Sequence, residues 1–401
     1  MFNPATTPPR ITTLILLTGT SLLSLNMFLP ALPQMAATFD VDYALMTVAV
    51  AGYLLAAAVM QLLFGPLSDR FGRRSILLIA FTIFFAASVG GLLATNIWVF
   101  LVFRFLQSAV VAGGVVSQAI IRDTTSKEDA ASLLGYVAMV MALAPLLAPA
   151  IGGAMTEWLG WRSIYVLYSV VGGVLVILCW LDLGETNTSK SASMIEQFKA
   201  YPKLFLSKRF WGYSLGLMFS ISCFFVFIGG APLVVSQSFN LSTTILGIGI
   251  GSISGGFMLG NFITGRFSKK FGVHTLMIAG RAGAVIGPLA GVGLAHFELM
   301  TPLLYFGAVF FIGLGNGLSV PSANVGVISI NPKLSGSAAG VAGSITIAGG
   351  AVATWGTGLL LKGETVIALH LGLITLSATA ALVCILYAIS LERQHLQSES
   401  T

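Results

Sequence analysis

Charge is what this chain has least of. Across 401 residues there are 20 Lys plus Arg and 14 Asp plus Glu, together 8% of the sequence, where a water-soluble protein carries roughly a quarter. A soluble globule of this length must clothe a large surface in polar groups. A soluble enzyme is therefore excluded, and so is a disordered or fibrous chain. Cysteine is scarce as well: Cys179, Cys223 and Cys384 lie in apolar stretches without metal-type spacing and read as small packing residues. The sequence also has no GxxxxGK loop, no HExxH and no Cys/His cluster of ligand spacing, so neither catalysis, a cofactor nor a metal is expected.

Apolar sequence is abundant, with 56% hydrophobic residues and a mean hydropathy of +0.93. A hydrocarbon core of about 30 Å needs about 20 apolar residues per helix. Twelve such runs are readable, near 11–33, 43–67, 75–95, 97–121, 131–155, 161–181, 210–234, 242–266, 274–296, 300–326, 337–360 and 366–390. The first is too long for a signal-peptide core and is read as retained. The expected class is therefore an all-α integral membrane protein.

Positive residues stay on the cytoplasmic side of a membrane. With the N-terminus inside, sixteen Lys and Arg fall in cytoplasmic segments, Arg162 and Lys362 fall outside, and Arg104 and Arg281 lie within spans. Both termini are thus expected in the cytoplasm. The basic excess of +6 then reflects topology, and no nucleic acid is needed to explain it.

The longest polar stretch, 183–209, holds five basic residues and reads as a cytoplasmic linker, with an amphipathic surface helix expected around 194–205. It separates residues 1–182 from 210–401, each with six runs. The halves echo one another: Gly65, Ser68, Phe71 and Gly72 of GPLSDRFGRR recur 200 residues on as Gly265, Ser268, Phe271 and Gly272 of GRFSKKFGVH. Two six-helix bundles flanking one cavity are an established transporter architecture.

Several strings carry a family resemblance. GPLSDRFGRRSILL after the second run, RFLQ at Arg104 to Gln107, and LAPLLAPAIGG at Leu143 to Gly153 resemble three signatures of the major facilitator superfamily, the third being that of its antiporters. NMFLPALP, QAIIRD, GWRSIY and the linker's Glu185–Thr186 pair followed by basic residues are similar to the bicyclomycin/chloramphenicol-resistance branch of drug:proton antiporters. The resemblance implies the major facilitator fold, a bacterial inner membrane, small-molecule substrates and proton exchange.

Read physically, Gly65 and Gly72 suit a tight turn or close helix approach, and Asp69, Arg70 and Arg73 suit pairing with neighbouring helix ends. The resemblance implies a cytoplasmic gating latch in which Asp69 faces the helix start at Ser335 to Ser337 and Arg73 reaches Asp123. Pro145, Pro149, Gly152 and Gly153 allow a helix to bend and pack closely, and their likeness to the antiporter signature implies export.

Arg104 is the most informative charge. A guanidinium in hydrocarbon costs at least several kcal/mol and cannot lose its proton, so it is expected to face the interior and organise a network with Gln107. Arg281 lies nearer a span end and is expected to snorkel. All 14 acids lie in loops or at span ends, so no carboxylate sits at mid-membrane. The branch carries an acid where this chain has Asn26, which weakens a preference for cationic drugs. Asp40, Asp42, Asp123 and His370 are the alternative proton carriers. A substrate cavity is expected to be lined by Asn26, Phe28, Tyr53, Arg104, Gln107 and Gln118 from the first half, with Phe224, Phe227, Asn316 and Asn324 from the second. That set suits amphipathic molecules.

The leading expectation is a monomeric, lipid-embedded exporter of antibiotic-like molecules, driven by protons. The alternative is an exporter of one endogenous metabolite, for example an anionic one such as a siderophore. A sensor or scaffold is disfavoured because no soluble signalling domain is present in the sequence given.

Overall fold

The computed structural model describes residues 9–125, 127–187, 204–330, 335–361 and 366–400. Among them every regular element is helical. The chain forms two compact units, Met1–Met194 with Ser242–Gly247, and Ile195–Leu241 with Ile248–Thr401. Residues 194–203 of the expected amphipathic helix lie outside the described residues.

In the first unit the helices are α1 (Ile11–Asn26), α2 (Leu32–Phe39), α3 (Tyr43–Phe71), α4 (Arg73–Leu93), α5 (Ile97–Leu106), α6 (Ala112–Thr124), α7 (Lys127–Leu159) and α8 (Arg162–Asp182). Later in the chain come α9 (Lys208–Ser238), α10 (Thr243–Phe271), α11 (Val273–His296), α12 (Pro302–Ser329), α13 (Ser335–Leu360) and α14 (Val366–Ser400). Eleven segments among the described residues are long and apolar enough to cross a membrane. The expected run 131–155 falls within the 33-residue α7. Leu303 is 82% exposed and Trp158 77%. Such side chains, on helices throughout the chain, would be liabilities in water and are natural against lipid.

Two runs that read as continuous are broken. The first span, Ile11–Phe39, passes through a 3-10 turn at Leu29–Ala31, because Pro30 has no N–H to give the ladder. The fourth, Ile97–Ile121, tightens to 3-10 geometry at Gln107–Val111.

The sequence repeat is also a structural one. Helices α3 and α10 are each 29 residues long and start 200 residues apart. Before them, Asp40 and Asn240 adopt the left-handed conformation at φ 52° and 49°, which Asp and Asn tolerate through local hydrogen bonding. After them, Gly72 and Gly272 turn the chain at φ 97° and 80°, donating their N–H groups back to Ser68 and Ser268 at 3.1 and 3.0 Å. Within the first unit α4 packs along α8 and α1 along α7; within the second α11 packs along α12, and α9 along α13 and α14.

Candidate functional site

The best-defined polar cluster in the first unit is built around Arg104, which is fully buried. Two of its partners, Ser24 and Phe28, come from the first span just before its break. The guanidinium carbon lies 3.9 Å from the centroid of the Phe28 ring and 4.2 Å from that of Tyr53. In the guanidinium plane, Nη1 donates to Gln107 Oε1 at 2.7 Å and Nη2 to the Ser24 carbonyl at 2.9 Å. Gln107 passes the network on, donating to Ser88 Oγ at 2.9 Å, which donates to the Phe84 carbonyl at 2.7 Å.

Magnitudes explain the construction. Burying the cation costs several kcal/mol, and a desolvated ring contact returns on the order of 2 kcal/mol. The rings alone fall short, so charge-assisted hydrogen bonds of about 1.5–3 kcal/mol each are required to hold Arg104 inside. Among the described residues no carboxylate contacts it. Its Nε has no hydrogen-bond partner, so the cluster is a fixed positive centre with an unused donor.

Asn26 is also buried. Its Nδ2 donates to the Leu22 carbonyl at 2.8 Å, while Oδ1 is left without a partner. Four of the sequence candidates, Phe28, Tyr53, Arg104 and Gln107, are therefore brought into one cluster. Asn26 lies in the same span, just before Phe28. Gln118 and Asn324 have exposed side chains, and Phe224 is half-buried, its ring against Phe225 at 5.6 Å.

Phe227 and Asn316 belong to two further clusters in the second unit. Phe227 stacks on His370 with centroids 6.2 Å apart. Asn316 accepts from Arg281 Nη2 at 2.7 Å, and Ser220 Oγ accepts from Nη1 at 2.7 Å. The expected snorkelling of Arg281 is thus corrected: the side chain is fully buried. Two neighbouring helices supply acceptors at its own depth, about 12 Å along α11 at 1.5 Å per residue, so the head has no need to reach an interface. Ser220, like Ser24 and Ser88, gave no signal in the sequence, because a membrane helix can turn a serine inward or outward at little cost.

At the end of α3 and the start of α4, Arg73 has an 8% exposed side chain and ties three elements together. Its Nε donates to Asp123 Oδ2 at 3.0 Å, Nη1 donates to Ser68 Oγ at 2.6 Å and lies 2.5 Å from Asp69 Oδ1. Arg70 lies over the Phe71 ring at 5.2 Å. The expected contact of Asp69 with Ser335 to Ser337 falls on side chains outside the described residues.

The linker supplies a partner that sequence reasoning missed. Glu185 Oε1 accepts the Arg73 backbone N–H at 2.9 Å, placing an anion at the positive end of α4. Asn187 Nδ2 donates to the Asp69 carbonyl at 2.7 Å. A Cβ on Gly72 would strike the Glu185 carboxylate, whereas one on Gly65 would meet nothing within 4 Å. Gly72 therefore makes the turn, while Gly65 sits inside α3 with open space beside it, a correction to its expected close approach.

In α7, Pro145 is half-buried and Pro149, Gly152 and Gly153 are buried. A side chain at Gly152 would strike the Met27 carbonyl oxygen, so this glycine lets α7 pass against the break in the first span. Among the described residues no group of three or more His, Cys, Asp or Glu is placed to hold a metal.

These features define an all-α, multi-pass membrane protein built from a repeated half, with a buried arginine cluster in each unit. The chain belongs to the Major Facilitator Superfamily, whose family model matches residues 14–354. It is therefore a transporter by family. It is 27% identical over 308 residues to a multidrug transporter MdfA of Yersinia pestis bv. Antiqua, covering 76% of this chain and 74% of that protein. It is 26% identical over 340 residues to a bicyclomycin resistance protein homolog of Haemophilus influenzae, covering 82% and 83%. Among solved structures it matches a bacterial homolog of the human lysosomal transporter Spinster, with a TM-score of 0.77 at 17% identity over 98% of this chain and 99% of that one. That likeness concerns the fold alone.

Proposed function

We propose that this protein is a secondary-active efflux transporter of the bacterial inner membrane, expelling small amphipathic molecules of the antibiotic type in exchange for protons. The observation that carries the reading is similarity over about three quarters or more of the chain to proteins named for multidrug transport and bicyclomycin resistance, joined to the antiporter-like Pro and Gly pattern of α7. Neither of these names points to a siderophore, and the metabolite alternative gains no support.

The division of labour follows the sequence reading. Residues 1–182 and 210–401 act as two six-helix bodies, 183–209 joins them, and both termini face the cytoplasm, where sixteen of 20 basic residues then lie. Asn26, Phe28, Tyr53, Gln118 and the Arg104–Gln107 pair are the substrate-facing set of the first body; Phe224, Phe227, Asn316 and Asn324 are that of the second. Arg73, with Asp69 and Asp123, is the latch that is made and broken as access alternates. The protein works as a monomer.

Expression in a bacterial strain stripped of its own efflux pumps tests this. Raised resistance to chloramphenicol-like or bicyclomycin-like compounds is expected, as is transport in proteoliposomes that responds to an imposed pH gradient. Unchanged susceptibility across a broad panel, with no flux under any gradient, would overturn the reading.

A further inference from the structure

Each unit opens with a span that holds a proline: the first span breaks around Pro30, whereas α9 stays helical through Pro232, yet the backbone before the two prolines is served alike. An offset of 202 residues carries Pro30 onto Pro232, Ser24 onto Val226 and Tyr168 onto His370. In the first unit, Tyr168 of α8 donates its hydroxyl to the Leu23 and Ser24 carbonyls at 3.1 and 3.3 Å. In the second, His370 of α14 bonds the Val226 carbonyl at 3.0 Å. Thus a buried side chain of the last span reaches the first span's backbone six residues before its proline in both units. Proline removes a ladder N–H and loosens the turn that precedes it. The carbonyl that loses its helical donor lies four residues before the proline, at Ile228 in α9, and His370 adds its bond to the Val226 carbonyl in the turn just before it.

The tautomer of His370 follows from its partners. A carbonyl only accepts, so Nε2 carries the hydrogen, and Nδ1 of the neutral ring accepts the Tyr305 hydroxyl at 2.9 Å. Both ring nitrogens are used, and the ring is fully buried. The space is cut for it: a Cβ on Gly230 would lie 2.5 Å from His370 Nε2. The ring is faced by Val226, Phe227 and Gly230 from α9 and by Tyr305 from α12. Among these contacts the titratable side chain is Tyr305, and none is a carboxylate.

We infer that His370 is a positioning residue, the second unit's counterpart of Tyr168. Its Nε2–H pins α14 to the turn of α9 that precedes Pro232, and it serves transport as a neutral donor, not as the proton carrier. This rests on the transporter reading above.

The test uses the full-length protein in proteoliposomes, with wild-type flux established first; absence of that flux would count against the transporter reading and leave the pin to the exchange measurement below. His370→Phe keeps the ring stack and removes both nitrogens. It is expected to lower turnover about tenfold, the effect of one lost buried hydrogen bond, with KM changed less than about twofold. His370→Gln keeps an N–H donor at similar reach. It is expected to restore turnover to within about threefold of wild type and leave the pH profile unmoved.

Hydrogen exchange of the protein in nanodiscs gives a readout independent of flux. Peptides covering 224–236 should exchange faster in His370→Phe and at the wild-type rate in His370→Gln. Tyr168→Phe should be milder, since Arg104 Nη2 still bonds Ser24. Equal loss in His370→Gln and His370→Phe, a pH profile abolished in His370→Gln, or wild-type exchange in His370→Phe would each overturn the assignment.

Discussion

Arg73 and Asp123 are 50 residues apart in sequence and meet with Nε 3.0 Å from a carboxylate oxygen, joining the start of α4 to the end of α6. Their side chains are 8% and 27% exposed, so the pair is worth more than a surface ion pair and less than a fully buried one. Arg73→Ala should destabilise the detergent-solubilised protein by about 1–3 kcal/mol. Adding Asp123→Ala should cost much less than the sum of the singles. Thermal unfolding of the double-mutant cycle measures this, and strict additivity would show that the contact contributes nothing.

The turn that precedes Arg73 makes a sharper contrast. Gly72→Ala forces a Cβ into φ 97° and against Glu185, at a cost of about 1–3 kcal/mol. Gly65→Ala places a Cβ in open space inside a helix, where alanine is favoured over glycine by roughly 0.5–1 kcal/mol. Melting temperatures should therefore move in opposite directions, and a comparable fall in both would contradict the assignment of the turn to Gly72.

Arg104→Lys tests whether charge alone is enough. An ammonium cannot lie flat between Phe28 and Tyr53 while bonding both Gln107 and Ser24. Transport should fall at least about tenfold, the loss of a single charge-assisted hydrogen bond, with membrane levels of the protein unchanged by immunoblot. Full activity in Arg104→Lys would reduce the cluster to a point charge.

For Arg281, the order of effects is the prediction. Asn316→Leu removes one acceptor and leaves a buried cation underbonded, whereas Arg281→Met removes the charge itself. Asn316→Leu should therefore destabilise more, by about 3–5 kcal/mol, and Asn316→Leu combined with Arg281→Met should recover part of that loss. Unfolding midpoints in detergent check the ranking, and a more damaging Arg281→Met would reverse it.

Asn26→Asp would put a carboxylate in the first span where Oδ1 now has no hydrogen-bond partner. A buried acid that titrates can exchange a proton for a cation. Efflux of a lipophilic cation such as ethidium, followed by fluorescence, should rise above that of the wild type. No gain in the variant, at equal expression, would argue that Asn26 lies off the substrate path.

Much of the architecture was legible in the residues because lipid is an unforgiving solvent. Runs of apolar sequence can only be helices, and an arginine among them must be fed with acceptors. Arg104 was found this way. Arg281 is not legible in the same way, because nearness to a span end suggests an aqueous escape, and only the facing Ser220 and Asn316 remove the need for one. Glu185 stands in a recognisable string, but its cap on α4 depends on where the chain after α8 turns.

The amino acids thus settled what crosses the membrane, the repeat at 200 residues and the scarcity of internal acids, since each follows from composition and spacing. Packing settled the rest: which serine, amide or carbonyl meets Arg104, Arg281 and His370. That choice turns on how far each helix is rotated about its axis, and a rotation of a fraction of a turn changes every partner while leaving hydropathy untouched.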